Sequence, residues 1–215
     1  MLAIVPGSEE DGCGCRTLGL GAMQQMTRLC VYCGSAAGLD TSYRAAAREL
    51  GRSLAVAGIE LIFGGGRIGL MGEVADAVLM AGGRVTGIIP DRLRSREQAH
   101  PRATELLITG SMHDRKRLMA ERADAFAILP GGIGTLDETF EILTWRQLGL
   151  HDKPIFLVDV AGYWKPLRDL FDHLATHGFT APLVPRLLQI VPDVAELMKM
   201  LGHVRSTGAP RSELL

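Results

Sequence analysis

The sequence predicts an α/β fold, a doubly wound parallel sheet with helices on both faces, in a single domain. Three observations carry that prediction. Short apolar runs, without the polar–apolar alternation of a half-exposed strand, alternate along the chain with segments of helical period, as expected of strands buried on both faces by crossover helices. Gly, Ser or Pro stands at most junctions between them. At 215 residues and 47% hydrophobic content the chain has the material for one large core.

Residues 1–26 hold glycines, two cysteines and Glu9-Glu10-Asp11 without sustained period, and lack the basic-then-apolar order of a secretory signal. They are expected to form a poorly ordered extension, with the domain over 27–204 and a flexible tail over 205–215. Strand, helix, strand, helix then follow. A strand over 28–33 ends in Gly34-Ser35, and an alanine-rich helix over 43–57 starts near Asp40-Thr41-Ser42 and stops at Gly58. A strand over 59–63 runs into Gly64-Gly65-Gly66, a helix over 70–81 ends at Gly82-Gly83, and a strand over 84–89 closes at Pro90. Residues 91–104 are polar and arginine-rich without clear period, so they read as a long loop over the carboxyl edge of the sheet, where long loops often touch ligand. The remaining elements are a short strand over 106–109, a helix over 112–122, a strand over 125–129, a helix over 135–148 with Phe140, Ile142, Leu143 and Trp145 as its apolar side, a strand over 154–158, and helices over 164–175 and 194–201.

With 23 basic and 24 acidic residues the formal net charge is −1, which offers no general attraction to nucleic acid or to an anionic membrane. No apolar run approaches the roughly 20 residues of a membrane helix, and a cytoplasmic location is the expectation. Cys13, Cys15, Cys30 and Cys33 cluster near the N-terminus and cannot staple the rest of the chain. Cys30-x-x-Cys33 resembles a metal or redox pair, but residues three apart on a strand point to opposite faces, so structural cysteines are expected.

The chemistry concentrates at Leu129-Pro130-Gly131-Gly132-Ile133-Gly134-Thr135-Leu136-Asp137-Glu138, where an apolar strand stops in a glycine turn and a helix begins. Glycines admit a ligand close to the backbone, and the first N–H groups of the helix offer it positive charge, so the turn suits a phosphate. Without the lysine of a nucleoside-triphosphatase loop, a monophosphate fits better. Asp137 and Glu138 do not serve anion binding, and one of them should address a sugar hydroxyl or a water instead. Ser111-Met112-His113-Asp114-Arg115-Lys116-Arg117 places three bases in the first turns of another helix, against its dipole, which a bound anion would explain better than helix stability; a solvated basic face is the plainer alternative. Gly64-Gly65-Gly66-Arg67-Ile68-Gly69 fits G-x-G-x-x-G, yet it follows the second strand, and the acid a dinucleotide site needs is displaced beyond Pro90 to Asp91. A glycine turn packed beside another nucleotide site is the stronger reading. His173 and His177 lack the glutamate of a zinc-protease motif and read as surface residues near a helix end, and no lysine stands in a recognisable pyridoxal-binding context.

Pro130-Gly131-Gly132-Ile133-Gly134-Thr135-Leu136-Asp137-Glu138 together with Met112-His113-Asp114-Arg115-Lys116 resembles the LONELY GUY proteins, cytokinin riboside 5′-monophosphate phosphoribohydrolases, whose motifs are P-G-G-x-G-T-x-x-E and M-x-x-R-K. Cys33-Gly34-Ser35, Gly64-Gly65-Gly66 through Gly72, and Leu143-Thr144-Trp145-Arg146-Gln147-Leu148-Gly149 support the match, which covers about 28–200. The resemblance implies a Rossmann-like fold and a homodimer. It also implies metal-free and cofactor-free hydrolysis of the N-glycosidic bond of a nucleoside 5′-monophosphate carrying an N6-modified adenine, and possibly of AMP, to free base and ribose 5-phosphate. By motif, Arg115 and Glu138 would be the catalytic pair, and Glu97, Arg115, Lys116, Gly131, Gly132, Ile133, Gly134, Thr135, Leu136, Asp137 and Thr144 would bind the nucleotide. The family often has glutamate where this chain has Asp137, a shortening that leaves Glu138 in place. A non-catalytic nucleotide or molybdenum-cofactor carrier of the same fold is the alternative. The helix over 135–148 and the one at Met112 both offer apolar surface for a second subunit.

Overall fold

The structure, a computed structural model, describes residues 27–182 and 186–207, the side chains of 204–207 excepted. The expected extension over 1–26 and the 208–215 part of the expected tail lie outside the described residues. Seven strands, β1 (Arg28–Tyr32), β2 (Glu60–Phe63), β3 (Val85–Pro90), β4 (Glu105–Thr109), β5 (Ala125–Ile128), β6 (Ile155–Val158) and β7 (Gln189–Val191), form one sheet in the order β4-β3-β2-β1-β5-β6-β7. Every neighbouring pair is parallel. The chain winds outward from β1 to β4, then returns to the other side of β1 as β5 and winds on to β7. The crevice at the carboxyl ends of β1 and β5 is therefore the topological switch point, where open α/β sheets bind ligands.

Helices α1 (Thr41–Val56), α2 (Gly69–Met80) and α6 (Val194–Thr207) cover one face, and α3 (Met112–Arg122), α4 (Ile133–Gln147) and α5 (Lys165–Thr176) the other. The strands read as unbroken apolar runs because alternate residues feed two cores. Leu29 and Val31 of β1 pack with Leu50, Leu54 and Val74, whereas Cys30 and Tyr32 pack with Met119, Ile142 and Phe171. Cys30 and Cys33 are free and lie in opposite cores, as strand spacing requires. Side-chain caps set two helix starts: Asp40 accepts from the Ser42 N–H at α1, where the sequence placed the start, and Ser111 from the Asp114 N–H at α3.

Three details differ from the sequence reading. Strand β7 was not anticipated, since three residues including Gln189 are too few to show a period. Helix α6 continues to Thr207 rather than ending near 201. Within α4, Ile142 and Leu143 are buried, but Phe140 stands 37% exposed, its ring edge-on to Phe171, because the helix turns that side outward at the rim of the core. His173 and His177 are exposed at the end of α5, as read. Among the described residues no helix is long and apolar enough to cross a membrane.

Candidate active site

The site lies at the switch point and is built by four segments. Strand β5 ends in the turn at Pro130, which is held against the end of β1 by the Gly34 N–H donating to Pro130 O at 3.0 Å. Gly131 is needed there for close approach, since a Cβ would overlap the Thr135 side chain and stand 2.9 Å from Gly34 N. Tyr163 donates to Gly131 O at 2.6 Å and fixes the turn from outside. Gly132 and Gly134 differ, because a Cβ on either would meet open space. Gly132 is the N-cap of α4 and provides no side-chain cap, so the first amides of that helix remain available to an anion.

Helix α3 supplies Arg115, with only 5% of its side chain exposed. Its guanidinium sits between Glu97 Oε2 at 3.6 Å and Glu138 Oε1 at 3.8 Å. These are ion-pair distances without hydrogen-bond geometry, and Arg115 Nε and Glu97 Oε2 are buried with no hydrogen-bond partner. A buried guanidinium and carboxylate left partly unsatisfied are what a site waiting for a polar ligand presents. Glu138 lies one turn into α4 with 11% of its side chain exposed; desolvation pushes its carboxyl up to about 7, the Arg115 cation opposes that shift, and Glu97 and Asp137 reinforce it. The thiol of Cys33, at the cavity wall, is also pushed up by burial and then by Glu138, so it stays protonated.

The second glycine cluster acquires its role here. A Cβ on Gly64 would overlap the Arg115 guanidinium, and one on Gly66 would stand 3.1 Å from Glu97 O. The cluster is a niche for the site's own side chains, which is why G-x-G-x-x-G occurs without the acid of a dinucleotide site. Gly64→Ala should leave the fold intact and push Arg115 out of line. We expect turnover to fall by roughly a hundredfold, the order of loss that about 1 Å of misplacement produces, with Tm nearly unchanged. A turnover within twofold of the parent would contradict this account of Gly64.

Of the residues singled out by sequence, Glu97, Arg115, Gly132, Ile133, Gly134, Thr135, Asp137 and Glu138 line one cavity of about 190 Å³. Gly131 lines the adjoining pocket toward Tyr43 and Tyr163, and Leu136 packs on the core. Lys116 does not line the cavity. Its ammonium is nearly buried between Asp137 and Glu141, each at 3.1 Å, and ties α3 to α4. Arg117 is paired at the surface with Glu121. The three bases that open α3 thus have carboxylate partners within the chain, which the sequence reading had not provided for. Glu141 was missed although its spacing from Asp137, one turn along the same helix face, was a usable signal. Tyr163 was missed because nothing local ties it to a turn 32 residues away. Thr144 lies on the exposed face of α4 and its hydroxyl donates to Phe140 O within the helix.

An open helix N-terminus at the switch point of a doubly wound sheet, with a largely buried carboxylate of raised pKa beside it, is an α/β arrangement suited to an anionic ligand and to proton transfer. Comparison with known proteins makes the class specific. A family model described as possible lysine decarboxylase matches residues 71–201. The chain is 45% identical over 174 residues to cytokinin riboside 5′-monophosphate phosphoribohydrolase LOG1 of Arabidopsis thaliana, covering 81% of this chain and 82% of that protein. It is 46% identical, over 81% of this chain and 77% of the relative, to the probable cytokinin riboside 5′-monophosphate phosphoribohydrolase LOGL9 of Oryza sativa subsp. japonica. The chain belongs to this LOG family. Among solved structures, the molybdenum cofactor carrier protein of Chlamydomonas reinhardtii superposes with a TM-score of 0.66 at 21% identity, covering 85% of this chain and 99% of that one, a likeness of fold. Among the described residues no lysine lines the cavity, and Lys153 donates to Ala120 O from the core.

Proposed function

We propose that this chain is a cytokinin riboside 5′-monophosphate phosphoribohydrolase, hydrolysing the N-glycosidic bond of nucleoside 5′-monophosphates with an N6-modified adenine, and AMP as a second substrate, to free base and ribose 5-phosphate. The observation that carries the reading is Glu138, a buried carboxylate with pKa near 7 beside the open amides of α4. The 5′-phosphate sits on the amides of Gly132, Ile133, Gly134 and Thr135, with Gly131 and Leu136 shaping the turn, and this anchoring aligns the ribose. As the C1′–N bond lengthens, positive charge grows on the ribose and ionised Glu138 stabilises it. Water adds its oxygen to C1′, its proton passes to Glu138, and the departing base takes up that proton. Arg115 keeps its charge throughout and positions substrate oxygen together with Glu97. Asp137 completes the binding set, held in place by its ion pair with Lys116 at the α3–α4 seam.

Support for the substrate comes from the named relatives, and support for the chemistry from the cavity. The exposed face of α4, with Ile133 at 82% and Leu148 at 69%, is the surface proposed for a homodimer. A dimer over that face would bring Thr144 to the second copy's nucleotide, since it does not line the cavity of its own chain. The proposed setting is the cytoplasm, with no nucleic-acid partner in view of the balanced charge.

Incubation with isopentenyladenosine monophosphate and with AMP should release ribose 5-phosphate. Because the carboxylate form of Glu138 acts, kcat/KM should rise with pH and level off above about 7. Binding of either nucleotide without release would favour the carrier reading and overturn the hydrolase.

A further inference from the structure

The segment over 91–104 joins β3 to β4 across the carboxyl edge of the sheet and carries Glu97 into the site. Beyond one 3-10 turn at Asp91–Leu93 and a lone antiparallel bridge between Gly66 and Ala99, it has no regular structure of its own. A strap of this kind holds a carboxylate beside a reacting group only if it is tied down. Part of the tie is backbone. The Arg67 N–H is shared between Glu97 O at 3.1 Å and Gln98 O at 2.9 Å, and the His100 N–H donates to Gly65 O at 2.9 Å. Gln98, directly after Glu97, has φ +48°, a left-handed conformation that a non-glycine residue keeps only where its surroundings hold it.

The side chain at the end of this strap supplies the rest. His100 is 2% exposed and meets Phe63 edge-on, ring centroids 6.2 Å apart. Both ring nitrogens are used. Nδ1 accepts from the Arg102 N–H at 3.3 Å, which leaves the proton on Nε2 to be donated to Asp76 Oδ1 on α2 at 3.2 Å. Asp76 also pairs with the Arg102 guanidinium, so strap and helix are joined twice at one carboxylate. Burial lowers the His100 pKa against the pull of Asp76, in keeping with a neutral ring.

We propose that His100, acting with Asp76, is a positioning residue that moors the 91–104 strap to α2 and thereby sets Glu97 beside Arg115 and Glu138. The mooring stands on geometry alone, while its catalytic consequence rests on the hydrolase reading above. Glu138 is faced by Arg115 and Lys116 from α3, Asp137 from its own helix, Glu97 from the strap, the un-ionised Cys30 and Tyr32 from β1, and Cys33 just after it. Of these, only Glu97 depends on the strap. Loosening it removes a neighbour that holds the Glu138 proton on, and Glu138 then ionises at lower pH.

The strap reports its own state, because Arg92, Arg94 and Arg96 are exposed on it and open to trypsin. His100→Phe keeps the packing on Phe63 and removes both ring hydrogen bonds. Tryptic nicking within 91–104 of the native protein should rise roughly tenfold or more. His100→Gln can still donate to Asp76 and should restore most of the protection. Asp76→Ala, at a part-exposed position that does not threaten the core, should be nicked like His100→Phe. With isopentenyladenosine monophosphate, both loosened variants should lose kcat/KM and show the acid limb of the pH profile moved to lower pH. Glu97→Gln should move the limb the same way with no rise in nicking. Parental nicking rates in both His100→Phe and Asp76→Ala would overturn the mooring, and faster nicking with an unmoved pH profile would overturn its effect on Glu97 and Glu138. Absence of ribose 5-phosphate release by the parent would instead count against the hydrolase, leaving the nicking ratios to decide the mooring.

Discussion

Glu138→Gln should lower kcat for ribose 5-phosphate release by roughly a thousandfold or more, the scale of a lost general base combined with a lost transition-state charge. The amide keeps the shape of the side chain and cannot take a proton from water or balance charge on the ribose, so KM should change far less than kcat. The same substitution should stabilise the fold. Because the folded-state pKa is about 7 against 4.5 for the free side chain, the folded protein holds a proton there that the unfolded chain has released, and stability falls as pH rises between those values. Fully ionised, the buried carboxylate costs on the order of 3 kcal/mol relative to its protonated form. At pH 8 the variant should therefore melt roughly 6 °C or more above the parent, and the gap should narrow toward pH 5. Parental turnover in Glu138→Gln would remove this residue from the mechanism, and a lower Tm at pH 8 would show that its burial stores no such cost.

Arg115→Met should abolish most activity and, unlike the first substitution, destabilise the protein. The guanidinium is the cation shared by Glu97 and Glu138, and its removal leaves two largely buried carboxylates without their counter-charge. Breaking a buried ion pair from one side costs about 3 kcal/mol or more, equivalent to a Tm loss of roughly 6 °C or more in a chain of this size. Without Arg115 the Glu138 pKa moves above its present value, so the variant goes on losing stability as pH rises from about 7 toward that higher value, where the parent has levelled off, and its Tm deficit should be larger at pH 8 than at pH 6. Arg115→Lys keeps the charge and should recover much of the Tm, but not the rate, because an ammonium cannot reach toward two carboxylates and a substrate oxygen in one plane. Equal rates in Arg115→Lys and the parent would reduce the role of Arg115 to charge alone.

Local periodicity and punctuation made most elements of this protein legible. Unbroken apolar runs, Gly58 and Gly82 at helix ends, and Asp40 at a helix start each act within a few residues of themselves, so they can be read without knowing the fold. The turn at Pro130–Glu138 was legible for the same reason, since its glycines, its following helix and its acid lie within one segment. The pairing of Arg115 with Glu138 came from motif resemblance, not from any local signal.

Tertiary structure alone decided the rest, because it depends on which segments meet across the sheet. Glu97, Arg115 and Glu138 come from a strap and two helices that approach one another only where the strand order reverses. The burial that lifts Glu138 to about 7 is a property of that meeting. Gly64 read as part of a glycine turn packed beside another site, but only the fold shows what it makes room for, the Arg115 side chain from a helix about fifty residues away along the chain. Lys116 read as a phosphate ligand and is found tying α3 to α4, since Asp137 and Glu141 reach it first. What the sequence by itself determined is the set of elements and the chemical groups available. Which groups stand dry, which are paired, and which carboxylate is left free to act were settled by packing, because desolvation and charge pairing are set by neighbours in space.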